Sequence, residues 1–179
     1  MALFIAISSI VISIFNLVKD NFLPAKVKIF FGDSLQIVNS DRNKIQINFN
    51  LINPRTKLSV INHLQATLSS PNGNDYLFKW NIFYKFDGHI AKPDRIPTSI
   101  AILPKNNVFQ GIEFISDNYF TWVEGKYIFK IEGWFNRGMR EDSNVTQPIN
   151  FSLSRDDVDN LKTVRGQDIV LMRPVQILN

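Results

Sequence analysis

Apolar and polar positions divide this chain into one continuous apolar segment and a long series of short alternating segments. The continuous segment runs from Met1 to Val18 and contains no charged side chain before Lys19. As a helix it would extend about 27 Å, close to the roughly 30 Å of a bilayer core. We therefore expect residues 1–23 to form a transmembrane anchor helix that ends before Pro24. A cleavable signal peptide is the alternative, but the segment lacks a basic start and a clear cleavage site.

The small and polar residues of this predicted helix, except Ser8, form a stripe along one side. They recur at intervals of four, three, four and three residues, which is the spacing of one helical face. Small residues allow membrane helices to approach closely, and serine or asparagine can form hydrogen bonds across the contact. We expect self-association or docking onto another membrane helix, although each serine can instead bond to its own helix backbone. This helix stripe consists of Ala2, Ala6, Ser9, Ser13 and Asn16.

Basic residues near the apolar segment indicate its orientation. No lysine or arginine precedes it, whereas Lys19, Lys26 and Lys28 follow it closely. The positive-inside rule then favours a cytoplasmic position for everything after the helix. The sequence therefore predicts a single-pass protein of the cell membrane with its C-terminal domain on the cytoplasmic side.

Beyond residue 26 the dominant pattern is an alternation of apolar and polar residues. Lys44 to Leu51 alternates strictly and places Ile45, Ile47 and Phe49 on one face, which is typical of a half-buried antiparallel strand. Without alternating helices, such segments indicate a mainly β protein, and we expect residues 26–179 to form one antiparallel β-sandwich of two sheets. The other predicted strands are Leu58–Leu68, Tyr76–Phe86, Thr98–Leu103, Val108–Ile115, Lys126–Phe135 and Pro148–Leu153.

The C-terminal region predicts one short helix near residues 155–165. Ser154 and Asp157 have the spacing of a capping box, with aspartate in place of the usual glutamate. Val158 and Leu161 then lie on one helical face. The acidic residues of the first turn are explained by the helix dipole and do not have the spacing of a calcium-binding loop. A terminal strand is expected at Asp168–Val175.

One strand carries a family resemblance. The spacing Gly125-x-Tyr127-x-Phe129-x-Ile131 resembles the penultimate strand of immunoglobulin-like domains, in which the tyrosine forms a corner with nearby backbone. The segment from Ile47 to Leu68 is similar to the second and third strands of bacterial modules of this kind. The whole layout resembles uncharacterised bacterial single-pass membrane proteins that carry one immunoglobulin-like β-sandwich. This resemblance implies an immunoglobulin-like fold and no particular chemistry.

Composition removes several functional classes. The chain has no cysteine, which excludes disulfides, thiol catalysis and thiolate metal sites. Its formal net charge of +4 is spread singly along the strands, so we expect no nucleic-acid surface. The eight glycines are scattered, without a phosphate-binding loop.

Candidate chemistry is sparse. Asp87 and His89 could supply two metal ligands, which is too few for a site, and no Gly-x-Ser-x-Gly motif is present. We therefore expect no catalytic residue, cofactor or metal. The best candidate for protein binding is a hairpin tip, because loops at the ends of sandwiches often carry recognition. Its residues are Arg137, Met139 and Arg140, with Trp134 beside them.

These features lead to three functional hypotheses. The first is a non-enzymatic, membrane-anchored binding or assembly module of unknown partner, which forms a homo-oligomer or joins a membrane complex through its N-terminal helix. The alternative is an oligomerising membrane effector whose β-sandwich is a sensor domain. The third hypothesis is an enzyme. The sequence favours it least, because no activated nucleophile or acid pair has a recognisable spacing.

Overall fold

The structure is a computed structural model that describes residues 2–22, 27–87, 90–135, 143, 145–162 and 169–177. Within these ranges two helices accompany twelve strands, so the chain is mainly β. The helices are α1 (Ala2–Phe22) and α2 (Arg155–Lys162). The strands are β1 (Lys28–Asn39), β2 (Asn43–Asn53), β3 (Ser59–Ile61), β4 (His63–Ser69), β5 (Asp75–Asp87), β6 (Ile90–Arg95), β7 (Ile100–Ile102), β8 (Asn106–Ser116), β9 (Gly125–Trp134), β10 (Val145–Leu153), β11 (Ile169–Pro174) and β12 (Gln176–Ile177).

One long antiparallel sheet forms the body of the molecule. Its strand order is β11, β1, β2, β8, β5, β4, β9, β10 and β12, and β6 pairs with β5 as a tenth strand. The remaining strands, β3 and β7, form a separate two-stranded ribbon. The predicted mainly β, antiparallel and sandwich-like architecture is therefore confirmed. The hydrogen bonding differs from the predicted two sheets, since ten strands are joined in one continuous order.

The C-terminal segment brings the two ends of this sheet together. β11 pairs with β1 from Ser34 to Asn39, whereas β12 pairs with β10 at Ile149 and Asn150. Between the two strands, the backbone N–H of Val175 donates to the carbonyl oxygen of Asp33 at 3.0 Å. The sheet thus curves around a single apolar core.

The core contains the side chains that the alternating pattern predicts. Ile45, Phe49 and Leu51 of β2 are fully buried, and so are Leu64 and Leu68 of β4. Adjacent side chains along a strand point to opposite faces, so a local pattern suffices to select the inward positions. This part of the sequence interpretation is confirmed.

The aromatic strand β5 changes phase partway along its length. It lies between β4 and β8, as its apolar faces predict. Its register against β8 shifts between Trp80 and Ile82, which is a β-bulge. Phe83 consequently enters the core, as Phe78 does, and both rings are fully buried. Strict alternation along Tyr76–Phe86 predicts these two rings on opposite faces, and the bulge corrects that prediction.

Two other predicted boundaries were wrong. Pro93 and Pro97 predict a loop between two strands, but Ile90–Arg95 forms β6. Proline is tolerated there because β6 pairs only with β5 and therefore is an edge strand. The single strand predicted at Leu58–Leu68 is instead two strands, which are separated at Asn62.

The predicted transmembrane anchor is also corrected. No helix in the described part of the chain is both long and apolar enough to cross a membrane. A single-pass cell-membrane protein is therefore not supported, and the predicted sidedness loses its basis. The length of α1 comes close to a bilayer core, but Asn16, the Lys19–Asp20 pair and several serines interrupt its apolar sequence. Polar and charged side chains at membrane depth are costly.

Candidate functional site

A cleft opens where β5 changes its partner strand. The first part of β5, Asp75–Lys79, pairs with β4, and the last part, from Phe83 to Asp87, pairs with β6. Before residue 65 the chain of β4 leads back through Asn62 into β3, which leaves the main sheet to pair with β7. The strands β4 and β5 therefore separate, and a cleft of about 570 Å³ lies between them.

Three separate segments line this cleft. Because the connection from β6 to β7 must pass the cleft to reach β3, it adds its side chains to those of the two separating strands. The volume lies within the range of about 300–1,000 Å³ that is usual for small-molecule sites. The lining residues are Asn62, His63, Trp80, Pro97, Thr98 and Ser99.

A short chain of hydrogen bonds fixes the polar wall of the cleft. The Ser99 hydroxyl donates to Asn62 Oδ1 at 2.8 Å. The Asn62 side-chain amide donates to the backbone oxygen of Phe135, and its backbone N–H donates to the oxygen of Trp134 at 2.8 Å. Asn62 therefore holds the β6–β7 connection against the end of β9. Since the proton of Ser99 is already engaged, its oxygen faces a ligand as an acceptor.

His63 contributes a neutral imidazole. It lies on the outward face of β4, opposite Leu64, and it is half-buried. Its ring packs against Trp134 with a centroid separation of 5.7 Å. Burial lowers the pKa of His63 below its ordinary value of 6.5, so the ring is uncharged at pH 7 and offers one donor and one acceptor.

Trp80 contributes an unpaired donor. Its indole ring contacts Phe83 edge-on at a centroid distance of 5.0 Å. Its Nε1 atom is buried and has no hydrogen-bond partner among the described residues. A buried donor without an acceptor costs about 1–3 kcal/mol.

This arrangement is suited to binding and not to covalent catalysis. The described lining includes one imidazole and no carboxylate. The Ser99 proton is directed to an amide oxygen, which is too weak a base to activate the hydroxyl as a nucleophile. In the described part of the chain, no three His, Cys, Asp or Glu side chains lie close enough together to hold a metal ion.

The structure describes part of the predicted binding loop. Trp134 is the last residue of β9 and is only 8% exposed, so it supports the His63 ring and presents little surface of its own. Arg137, Met139 and Arg140 lie outside the described residues, as does His89. The loop nevertheless begins directly beyond Phe135, whose backbone oxygen binds Asn62 at the cleft.

The predicted helix stripe lies on α1. Ala6, Ser9, Ser13 and Asn16 are exposed, while the side chain of Ala2 is outside the described part. The Ser9 hydroxyl donates to the backbone oxygen of Ile5 at 2.9 Å, which is the intrahelical bond that serine can form as an alternative to an interhelical one.

Three cleft residues had not been singled out from the sequence: Asn62, Trp80 and Ser99. Each comes from a different segment, and none belongs to a motif. The only local signal was Asn62, a polar residue within an apolar strand pattern. Their convergence depends on the separation of β4 from β5, which is a property of the sheet as a whole.

A second polar cluster lies away from the cleft and is internally satisfied. The Glu113 side chain on β8 is 4% exposed. Its carboxylate accepts hydrogen bonds from Gln46 at 2.9 Å, Asn81 at 2.7 Å and the Tyr84 hydroxyl at 3.1 Å. These three donors come from β2 and β5, so the cluster joins the three strands and stabilises the bulge region.

Comparison of the chain with protein-family models, with curated proteins and with solved structures found no match. The resemblance to immunoglobulin-like domains thus stays a prediction that rests on the motif residues. One of them has the contact the motif implies: the Tyr127 hydroxyl donates to the oxygen of Val123 at 2.8 Å and accepts from its N–H at 2.8 Å.

Proposed function

We propose that this chain is a non-enzymatic binding module of immunoglobulin-like type, which holds its ligand in the cleft between β4 and β5. The observation that carries the proposal is the convergence of polar and aromatic side chains from three segments on one cleft of about 570 Å³. Strand pairing and the Ser99–Asn62 hydrogen bond hold these side chains in place before a ligand arrives. Preformed clefts with a few directed polar groups are the usual form of small-molecule sites.

The proposal also gives α1 a role in assembly. Outside the helix stripe its apolar side chains are exposed, for example Phe4 at 78%, Ile12 at 59% and Phe15 at 64%. An exposed apolar surface of this size usually marks an interaction site. The helix stripe allows two helices to approach closely, so we propose that α1 of a second copy covers it.

Blocking the cleft tests the binding role. Thr98 lines the cleft and is exposed, so Thr98→Trp should fill the space without disturbing the core. Thr121→Trp, at another exposed threonine, is the matched control. In a small-molecule screen by ligand-observed NMR, compounds that bind the native protein and the control should fail to bind Thr98→Trp. Equal binding to all three proteins, or no binding to the native protein, would show that the cleft is not the site.

Sedimentation of the full-length protein tests the assembly role. Ser13→Ile places a branched side chain in the helix stripe, and Ser8→Ile makes the same change outside it. The native protein and Ser8→Ile should form oligomers whose population rises with concentration. The oligomer of Ser13→Ile should dissociate at protein concentrations at least tenfold higher than those at which the native oligomer dissociates. A native protein that is monomeric throughout, or equal behaviour of the two variants, contradicts an interface on this stripe.

A further inference from the structure

The cleft lining is uncharged near neutral pH. Its six described residues include no lysine, arginine, aspartate or glutamate, and burial keeps the His63 imidazole neutral by lowering its pKa. The nearest basic residue along the β6–β7 connection is Arg95, whose guanidinium lies over the Phe83 ring at 4.7 Å. Phosphates and carboxylates are usually bound by cationic side chains, and amines by acids. The described lining residues offer neither, so this part of the cleft favours an uncharged ligand.

The same lining contains both donors and acceptors of hydrogen bonds. Ser99 has directed its proton to Asn62 and offers its oxygen as an acceptor. The neutral His63 and the Thr98 hydroxyl can act in both senses. A ligand that matches this set must also carry groups that donate and accept, and hydroxyl groups do both.

The apolar part of the lining is formed by rings. Trp80 and Pro97 present carbon surfaces beside the polar groups. An aromatic side chain supplies a rigid apolar face together with a polar atom. Such a combination fits a compact ring that has C–H groups on its faces and hydroxyls around its edge.

We infer that the cleft binds a neutral, hydroxyl-bearing ring of the sugar class. The inference rests on the proposed binding function and goes further by naming the chemistry of the ligand. Ser99 accepts from a hydroxyl, His63 bridges neighbouring hydroxyls, and the Trp80 and Pro97 rings pack against the C–H groups of the ligand ring. No bond is made or broken in the ligand.

Isothermal titration calorimetry of the full-length protein tests this ligand class. The neutral probes are glucose, galactose, mannose, N-acetylglucosamine and cellobiose, and the charged comparison probes are inorganic phosphate and ethylamine. At least one neutral sugar should bind saturably. Ser99→Ala should weaken it about tenfold or more, which corresponds to the loss of one directed hydrogen bond. Trp80→Phe, which replaces the indole by a smaller ring, should weaken it less. Ser152→Ala, an exposed serine of β10 outside this cleft, should leave binding unchanged.

The outcomes separate the ligand class from the binding function. One outcome is that a charged probe binds the native protein but not Thr98→Trp, while no sugar binds. This outcome would overturn the sugar assignment and retain the cleft as a binding site. Sugar binding that survives Thr98→Trp and Ser99→Ala would overturn the assignment to this cleft. If no probe binds, the sugar inference is wrong, and the wider NMR screen then decides whether the cleft binds anything else. Should Trp80→Phe fail to fold, the exposed Ser99 and Thr98 variants carry the test.

Discussion

Tyr127 shows how a single hydroxyl can fix a loop to the core. Its ring is fully buried and stacks on Phe151 with centroids 5.2 Å apart. Its hydroxyl bonds to both the N–H and the oxygen of Val123, which lies in the segment that leads into β9. The tyrosine therefore satisfies two backbone groups that would otherwise lose their partner.

Replacing this hydroxyl should destabilise the fold. Tyr127→Phe keeps the ring but leaves the Val123 backbone groups unpaired, so the free energy of unfolding should fall by about 1–2 kcal/mol. Tyr119→Phe, at a side chain that is 56% exposed, is the control and should change little. Urea denaturation measures both. Equal stabilities of the two variants would mean that the corner contributes nothing.

His63 should make stability depend on pH. Burial lowers the pKa of His63 in the folded state below 6.5, so below that pH the unfolded chain binds more protons than the folded one. Stability should therefore decrease as pH falls from 6.5 toward the lowered folded-state pKa, and should be unaffected by this group above 6.5.

Comparison with a variant isolates this contribution. His63→Gln removes the titrating group and retains His89, so the unfolding free energy of the variant should fall less steeply with acidification than that of the native protein. Denaturation between about pH 5 and pH 8 measures the difference. Parallel pH profiles would show that His63 is not desolvated in the folded protein.

At the scale of elements, α2 is tied to the sheet by its own cap. The Asp157 carboxylate accepts from the N–H of Ser154 at 2.8 Å, and the N–H of Asp157 donates to the Ser154 hydroxyl at 3.3 Å. These reciprocal bonds confirm the predicted capping box. The same carboxylate forms an ion pair with Arg173 of β11 and accepts from its Nε at 3.0 Å. One side chain thus starts a helix and joins it to the C-terminal strand.

Loss of this carboxylate should affect both connections. Asp157→Ala removes the cap and leaves Arg173 without its partner, so we expect a loss of about 2 kcal/mol or more. Asp156→Ala removes an exposed acid of the same helical turn and should cost about 0.5 kcal/mol. Thermal unfolding of the two variants compares them. Similar losses would indicate that only the helix dipole matters at this position.

Strand β5 shows how far the alternation of residues can predict the structure of a single strand. Alternation predicts correctly that the strand is apolar and central, but the bulge at Trp80–Ile82 reverses which residues face inward beyond it. The position of a bulge depends on how a strand pairs and packs with its neighbours. It therefore cannot be predicted from the alternation of residues in one strand. The bulge also brings Asn81 into contact with Glu113.

For the whole molecule, the C-terminal strands decide whether the sheet stays closed. β11 and β12 are consecutive, yet they pair with β1 and β10 at opposite ends of the strand order. Both β1 and β10 would be edge strands without them. Unpaired edges expose backbone N–H and C=O groups to exchange and to association.

Removal of residues 169–179 should open both edges together. Amide protons of β1 and β10 should exchange with deuterium faster in the truncated protein, while those of the central strands β5 and β8 change less. Hydrogen–deuterium exchange read by mass spectrometry checks this expectation. Faster exchange in β1 alone would show that β12 does not close the sheet in solution.

The sequence by itself determined the features that depend on near neighbours. The inward faces of β2 and β4 and the cap at Ser154–Asp157 follow from spacings of a few residues, because side-chain direction and capping are local. Only the tertiary structure decided that β11 and β12 close the sheet and that Asn62, Trp80 and Ser99 converge on the cleft. These contacts join segments far apart in the chain, and their register is set by packing of the whole sheet, which no local pattern contains.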